Sequence, residues 1–116
     1  MISKHFSKAE LSCKCGCGQC IVDPMLIGAL EFIRARFMRP VHVLSGNRCR
    51  SHNAAVGGAS NSQHLYGKAA DIYVKDIDLD SIVRAAEQAR ADGIGIYRAQ
   101  GFVHVDVRGY SARWEG

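Results

Sequence analysis

Leu26, Leu30, Ile33 and Phe37 repeat at helical spacing behind Asp23-Pro24. Asp23 is a suitable N-cap and Pro24 fits a first helical turn, so a helix is predicted from there to about Arg39, its apolar stripe facing a core. Pro40 stops that helix, and Val41-His42-Val43-Leu44 reads as a short buried strand. Strand-like patterning returns at Ala69 to Val74. Asp76 to Asp80 supplies a turn and a cap for a second helix, Leu79 to about Ala91, which Asp92-Gly93 ends. Ile94 to Tyr97 and Phe102 to Val107 read as two further strands, paired as a hairpin through Arg98-Ala99-Gln100-Gly101. Between the first two strands, Ser45 to Lys68 is rich in Gly, Asn, Ser and His. A stretch this long without structure is uncommon in a small domain unless it builds a site or contains short helices.

This order of elements predicts an α+β fold in which helices pack against a small antiparallel sheet. At 116 residues, 47% of them hydrophobic, the chain can fill one modest core, and residues 1–116 read as a single domain without repeat or linker. No stretch approaches the roughly 18 apolar residues of a membrane span. Fifteen Lys and Arg against eleven Asp and Glu give a net charge of +4, which favours approach to a polyanion such as nucleic acid or an anionic cell-wall polymer. Arg34, Arg36 and Arg39 cluster on the first helix, either as a solvated face or as an anion-binding surface. They lack the interleaved aromatics of a single-strand platform, so nucleic acid is the weaker partner reading.

The chemistry concentrates in polar residues set among apolar strand positions. On the last predicted strand Phe102, His104 and Asp106 project to one face, and Val103, Val105 and Val107 to the other. The valines suit a core while His104 and Asp106 line a cleft. His64 and Asp71 bracket Gly67 and Ala69-Ala70, small residues that allow close approach of neighbouring segments. Two imidazoles and one carboxylate are suitable zinc donors, and they leave a fourth position for water or substrate. The proposed metal set is therefore His64, Asp71 and His104. An ordinary structural pairing of these side chains is the competing reading of the residues alone.

Ser45-Gly46-Asn47-Arg48-Cys49-Arg50-Ser51-His52-Asn53, Val56-Gly57-Gly58, Ser62-Gln63-His64 through Asp71-Ile72, and Gly101-Phe102-Val103-His104-Val105-Asp106 occur in that order. With these segments the chain resembles the zinc D-alanyl-D-alanine carboxypeptidases and related phage or bacterial murein peptidases, over about Phe6 to Trp114. The resemblance implies their small α+β fold, a Zn2+ held by His64, Asp71 and His104, and an Arg48 that holds a substrate carboxylate or carbonyl. It implies hydrolysis of a peptide bond in peptidoglycan or its muropeptides, at D-Ala-D-Ala or at an internal L-to-D bond. Many relatives carry an acidic residue or His three positions before the last metal-binding His; here that position is Gly101. Asp106 is the nearest carboxylate in sequence and becomes the candidate base for the attacking water. Its alternatives are a hydrogen bond to a metal-bound His or a pairing with Arg48 or Arg108. His52 reads as a loop-bracing residue.

Cys13, Cys15, Cys17 and Cys20 fall within eight positions and Cys49 adds a fifth, without the spacing of two C-x2-C knuckles. Reduced thiols, one or more disulfides and a second metal site all fit, and an odd total leaves one cysteine outside any intrachain pairing. A noncatalytic zinc-stabilised module that binds cell wall or protein is the alternative function, and Gly101 lends it weight. Met1 to Phe6 lacks the apolar run of a secretory signal, so the expectation is cytoplasmic synthesis, with release to the wall by a phage lysis route or on a virion.

Overall fold

The computed structural model describes residues 2–116. Helix α1 (Lys8–Leu11) precedes α2 (Pro24–Phe37), β1 (Val41–Ser45) and α3 (Arg50–Ala55). A 3-10 turn over Gln63–Tyr66 then leads into β2 (Ala69–Val74), α4 (Leu79–Gln88), β3 (Gly93–Tyr97), β4 (Phe102–Asp106) and β5 (Ala112–Glu115). The strands form one five-stranded sheet in the order β1-β2-β4-β3-β5. All neighbours are antiparallel except β3 and β5, which run parallel. The α+β class stands, and the sheet is mixed because the chain crosses from β4 to the far side of β3 before Ala112.

The α2 stripe packs as its spacing requires. Leu26, Leu30 and Ile33 are buried, and Phe37 packs partly buried against the same cluster. They meet Ile82, Ala85 and Ala86 of α4 and the inward row Ala70, Ile72, Ile94, Ile96, Val103 and Val105 of the sheet. Asp23 caps α2 by accepting from the Met25 amide at 2.8 Å. Both long helices stop earlier than predicted. Met38 turns left-handed at the end of α2, with φ 54°. Arg90 does so after α4, with φ 64°, and the Ala91 amide closes onto the Ala86 carbonyl at 3.0 Å. That closing bond is the usual glycine-type helix stop, formed here with arginine in the left-handed position, so no glycine marked it.

Two elements went unpredicted. Ser7 and Glu10 form a reciprocal capping box around the first turn of α1, and this S-x-x-E spacing is a readable signal. β5 is four residues at a sheet edge with alternating exposure, too short to stand out by pattern. The long segment from Ser45 to Lys68 does contain short helices, α3 and the 3-10 turn, as its length required.

Gly46 anchors the start of this segment. An added Cβ there would sit 2.8 Å from the Leu11 carbonyl oxygen and 2.9 Å from the Leu11 Cα, both rigid backbone atoms. Gly46→Ala is therefore expected to destabilise the fold by about 1–3 kcal/mol in urea or thermal unfolding. Gly28, in the middle of α2, faces open space, and Gly28→Ala should stabilise by about 0.5–1 kcal/mol. Equal effects of the two substitutions would contradict this packing.

Candidate metal centre

Strand register assembles the site as one lateral row. Ser45 of β1 pairs with Asp71 of β2, Asp71 with His104 of β4, His104 with Gly95 of β3, and Gly95 with Trp114 of β5. Residues paired this way share a face, so the row presents a hydroxyl, a carboxylate, an imidazole, a gap and an indole side by side. The gap is necessary: a Cβ on Gly95 would lie 2.3 Å from the Trp114 ring, which instead comes to 5.0 Å from the His104 ring centre. His64 arrives from the 3-10 turn, where Ser62 accepts from the His64 amide at 3.2 Å. Gly67, predicted to ease the approach of the two ligand segments, instead makes room for the Ile21 carbonyl and ends that turn.

The three proposed donors meet in the interior, with His64 2%, Asp71 5% and His104 7% exposed. His64 Nε2 lies 3.2 Å and His104 Nδ1 3.1 Å from Asp71 Oδ1. The outer nitrogens fix which atoms face inward. His64 Nδ1 is 2.8 Å from the Gly46 carbonyl, which can only accept, and His104 Nε2 is 2.7 Å from the Asp106 carboxylate. With protons committed outward, two imidazole lone pairs and a carboxylate oxygen point at one another. Such a set repels itself unless a cation or a proton sits between its members. A tetrahedral ion about 2.1 Å from each donor would place donors about 3.4 Å apart, close to the spacings found. Ligating atoms of all three residues lie within 4.8 Å of one another.

The electrostatics carry the same pressure. Burial opposes ionisation of Asp71, but bonds and charge from His104 and His64 hold its carboxyl down at about 2. Burial also works against a charged His104, and the bonds to Asp106 and Asp71 outweigh it, raising its pKa. Arg48 takes the other Asp71 oxygen, with Nη2 donating to Oδ2 at 3.2 Å. Its Nε donates to Ser45 and its Nη1 to Asn53, which leaves one N–H on each terminal nitrogen free.

Asp106 sits behind His104 and is fully buried. Besides the imidazole it accepts from Arg108 at 2.6 Å, and it is absent from the walls of the cleft. Against its burial, the His104 and Arg108 bonds hold its carboxyl well below the usual carboxylate range. Gly101 lies in the β3–β4 turn with φ 80° and has no neighbour within 4 Å of a built Cβ. His52 lies on α3, outside the cleft. Above the three donors the cleft has a volume of about 570 Å³. Its walls include Arg48, Gly57 to Ala59 and Asn61 to Gln63 on one side. Tyr97, Phe102, Arg108, Tyr110 and Trp114 form the other side, and Asp71 is the sole carboxylate residue among the described lining. Sequence reasoning missed this aromatic wall. Tyr97 stacks on Phe102 at 4.6 Å, its hydroxyl accepts from the Trp114 indole at 2.9 Å, and Arg108 lies 5.1 Å over the Trp114 ring. Trp114 depends on β5, whose pairing no local pattern announced.

A buried two-histidine, one-carboxylate set under an open cleft, on a mostly antiparallel sheet, is a candidate metal site of an α+β domain, with donors of the kind that catalytic zinc sites use. The chain belongs to the Peptidase M15 family, whose pattern matches residues 4–106. Among curated proteins it is similar to the peptidoglycan L,D-endopeptidase MepK of Escherichia coli K12, at 33% identity over 100 residues. That match covers 80% of this chain and 54% of the relative. It is also similar to the probable peptidoglycan L,D-endopeptidase MepK of Haemophilus influenzae, at 36% identity over 81 residues, covering 66% of this chain and 43% of the relative. The chain thus spans about half the length of the curated relatives it matches.

Two outcomes follow from this geometry. Asp106→Asn removes the acceptor that orients His104 and should weaken zinc binding about 10–100-fold in a chelator competition. Unchanged zinc affinity with lost turnover would instead mark Asp106 as the base. The metal-free protein should also show a stability maximum in pH. His104, with its pKa raised, contributes stability that is complete below its unfolded pKa of about 6.5 and is lost as pH rises through the folded value. Asp71 contributes above its unfolded value and loses the contribution as pH falls toward about 2. Thermal midpoints of the chelated protein should therefore peak at mildly acidic pH, and added zinc should raise the midpoint more at about pH 8 than at about pH 5.5.

Proposed function

We propose that this chain is a zinc-dependent peptidase that hydrolyses a peptide bond of peptidoglycan or its muropeptides, at an internal L-to-D bond. The observation that carries the reading is the buried convergence of His64, Asp71 and His104 on the floor of the cleft. Membership of the M15 family and the peptidoglycan L,D-endopeptidase activity for which the MepK relatives are named support the substrate class and the bond. His64 Nε2, Asp71 Oδ1 and His104 Nδ1 would hold the ion. The chemistry a bound zinc supplies is polarisation of an amide carbonyl and acidification of water.

The chain's own residues do the rest. Arg48 fixes Asp71 through one N–H and turns its free N–H groups to the cleft, where they suit a substrate carbonyl or carboxylate. Asp106 acts through His104, holding the imidazole with its proton outward, so in this account it orients a ligand and does not itself take the proton of water. Tyr97, Phe102 and Trp114 form an apolar wall against which a peptide stem can lie, with Arg108 beside them as a second cation for its carboxylates. The exposed Arg36 on α2 and Arg39 just beyond its end would draw the protein toward anionic wall polymer.

Cleavage at D-Ala-D-Ala is the second reading, favoured by the two arginines in the cleft wall, which suit a free terminal carboxylate. Mass spectrometry of products from defined muropeptides separates the two. Internal L-to-D products should form with zinc, stop on chelation and return on zinc addition. Release of terminal D-Ala selects the second reading, and intact substrate with zinc loaded selects a binding module. Arg48→Lys should lower turnover about 10²-fold at unchanged zinc content, because lysine lacks the fork; wild-type kinetics would remove Arg48 from the mechanism.

A further inference from the structure

A second cluster of metal-ligating side chains lies apart from the cleft. Cys13, Cys15 and Cys17, from the loop after α1, meet Cys49 at the head of α3, and their four sulfur atoms all lie within 4.8 Å of one another. Cys13 Sγ is 3.4 Å from Cys15 Sγ, and Cys15 Sγ is 3.7 Å from Cys49 Sγ. A disulfide would bring a pair to about 2.05 Å. Four thiolates around one zinc at about 2.3 Å stand about 3.8 Å apart.

Packing does not account for the cluster. Cys13 alone is buried, while Cys15 and Cys17 are exposed, so no apolar core drives four sulfurs together. Local backbone supports them as acceptors instead. The Cys49 amide donates to Cys13 Sγ at 3.4 Å, the His52 amide to Cys49 Sγ at 3.4 Å, and the Gln19 amide to Cys17 Sγ at 3.5 Å. Gly16 and Gly18 take φ of 87° and 86°, which folds the Cys-Gly-Cys-Gly turn back on itself. Cys20 stays outside, its sulfur against the Lys8 carbonyl at 3.8 Å. The set that converges is four, the number a closed tetrahedral site takes.

We propose that Cys13, Cys15, Cys17 and Cys49 bind a second, structural Zn2+. Soft thiolate donors in a tetrahedral set suit zinc, and a fully occupied shell leaves no position for substrate. The clip joins the loop after α1 to the residue that follows Arg48. It thereby holds the Arg48 backbone, whose amide donates to the His64 carbonyl at 3.0 Å, while the side chain reaches Asp71. The odd fifth cysteine needs no partner in this arrangement.

Metal content of the full chain, purified under reduction, tests the site without reference to turnover. Wild type should carry two zinc ions per chain, and His64→Ala/His104→Ala and Cys15→Ser/Cys17→Ser one each. Cobalt replacement gives a readout that needs no cysteine variant. Wild type and the double-histidine variant should both show thiolate-to-cobalt charge-transfer absorption, which a nitrogen and oxygen site lacks. Cys20→Ser should leave both readouts unchanged. Cobalt-loaded wild type without that absorption would overturn the proposal. So would a chain whose mass shows these cysteines joined as disulfides.

Discussion

The Asp71 carboxylate is buried, and what surrounds it decides how the rest of the molecule must be built. A buried anion is costly unless it is paired and hydrogen-bonded. Arg48 satisfies one oxygen, and the other faces two imidazole nitrogens whose protons are committed elsewhere. Each of those partners is itself held from behind: Arg48 by Ser45 and Asn53, His64 by the Gly46 carbonyl, His104 by Asp106. The row of paired residues across the sheet, the contorted segment from Ser45 to Lys68 and the tight approach of Gly46 to Leu11 all serve to bring these supports to one point. The site therefore depends both on the register of β2 and β4, which sets Asp71 beside His104, and on the segment from Ser45 to Lys68, which brings Arg48 and His64 to them.

Much of this was legible in the chain. Alternation on β4 separates the valines of the core from His104 and Asp106, and the spacing of Leu26, Leu30 and Ile33 gives α2 its buried face. His64, Asp71 and His104 stand out as candidate donors; the β2–β4 ladder brings Asp71 and His104 together, and the 3-10 turn delivers His64. What pattern cannot supply is position along a face. Two residues apart on a strand means a separation of about 6.8 Å, so Asp106 shares the face of His104 but falls in the next row. There it meets the far nitrogen of the imidazole and Arg108, and it does not reach the cleft. Alternation and the glycine at position 101 made it a candidate base, and the pairing geometry places it against His104 and Arg108.

The elements that escaped prediction are those whose signals are short or atypical. α1 is a single capped turn, and Arg90 ends α4 in a conformation that usually announces itself with glycine. β5 joins the sheet beside β3 by a parallel crossing, and its four residues carry no long alternation. Its consequence is functional all the same, because Trp114 closes one wall of the cleft over Gly95.

Diffraction from zinc-loaded crystals at the zinc absorption edge tests the central claim most directly. An anomalous peak about 2.0–2.2 Å from His64 Nε2, Asp71 Oδ1 and His104 Nδ1 is the predicted result. Zinc bound by a set of ligands that leaves out these three, with His64, Asp71 and His104 still hydrogen-bonded to one another in the loaded protein, would contradict it.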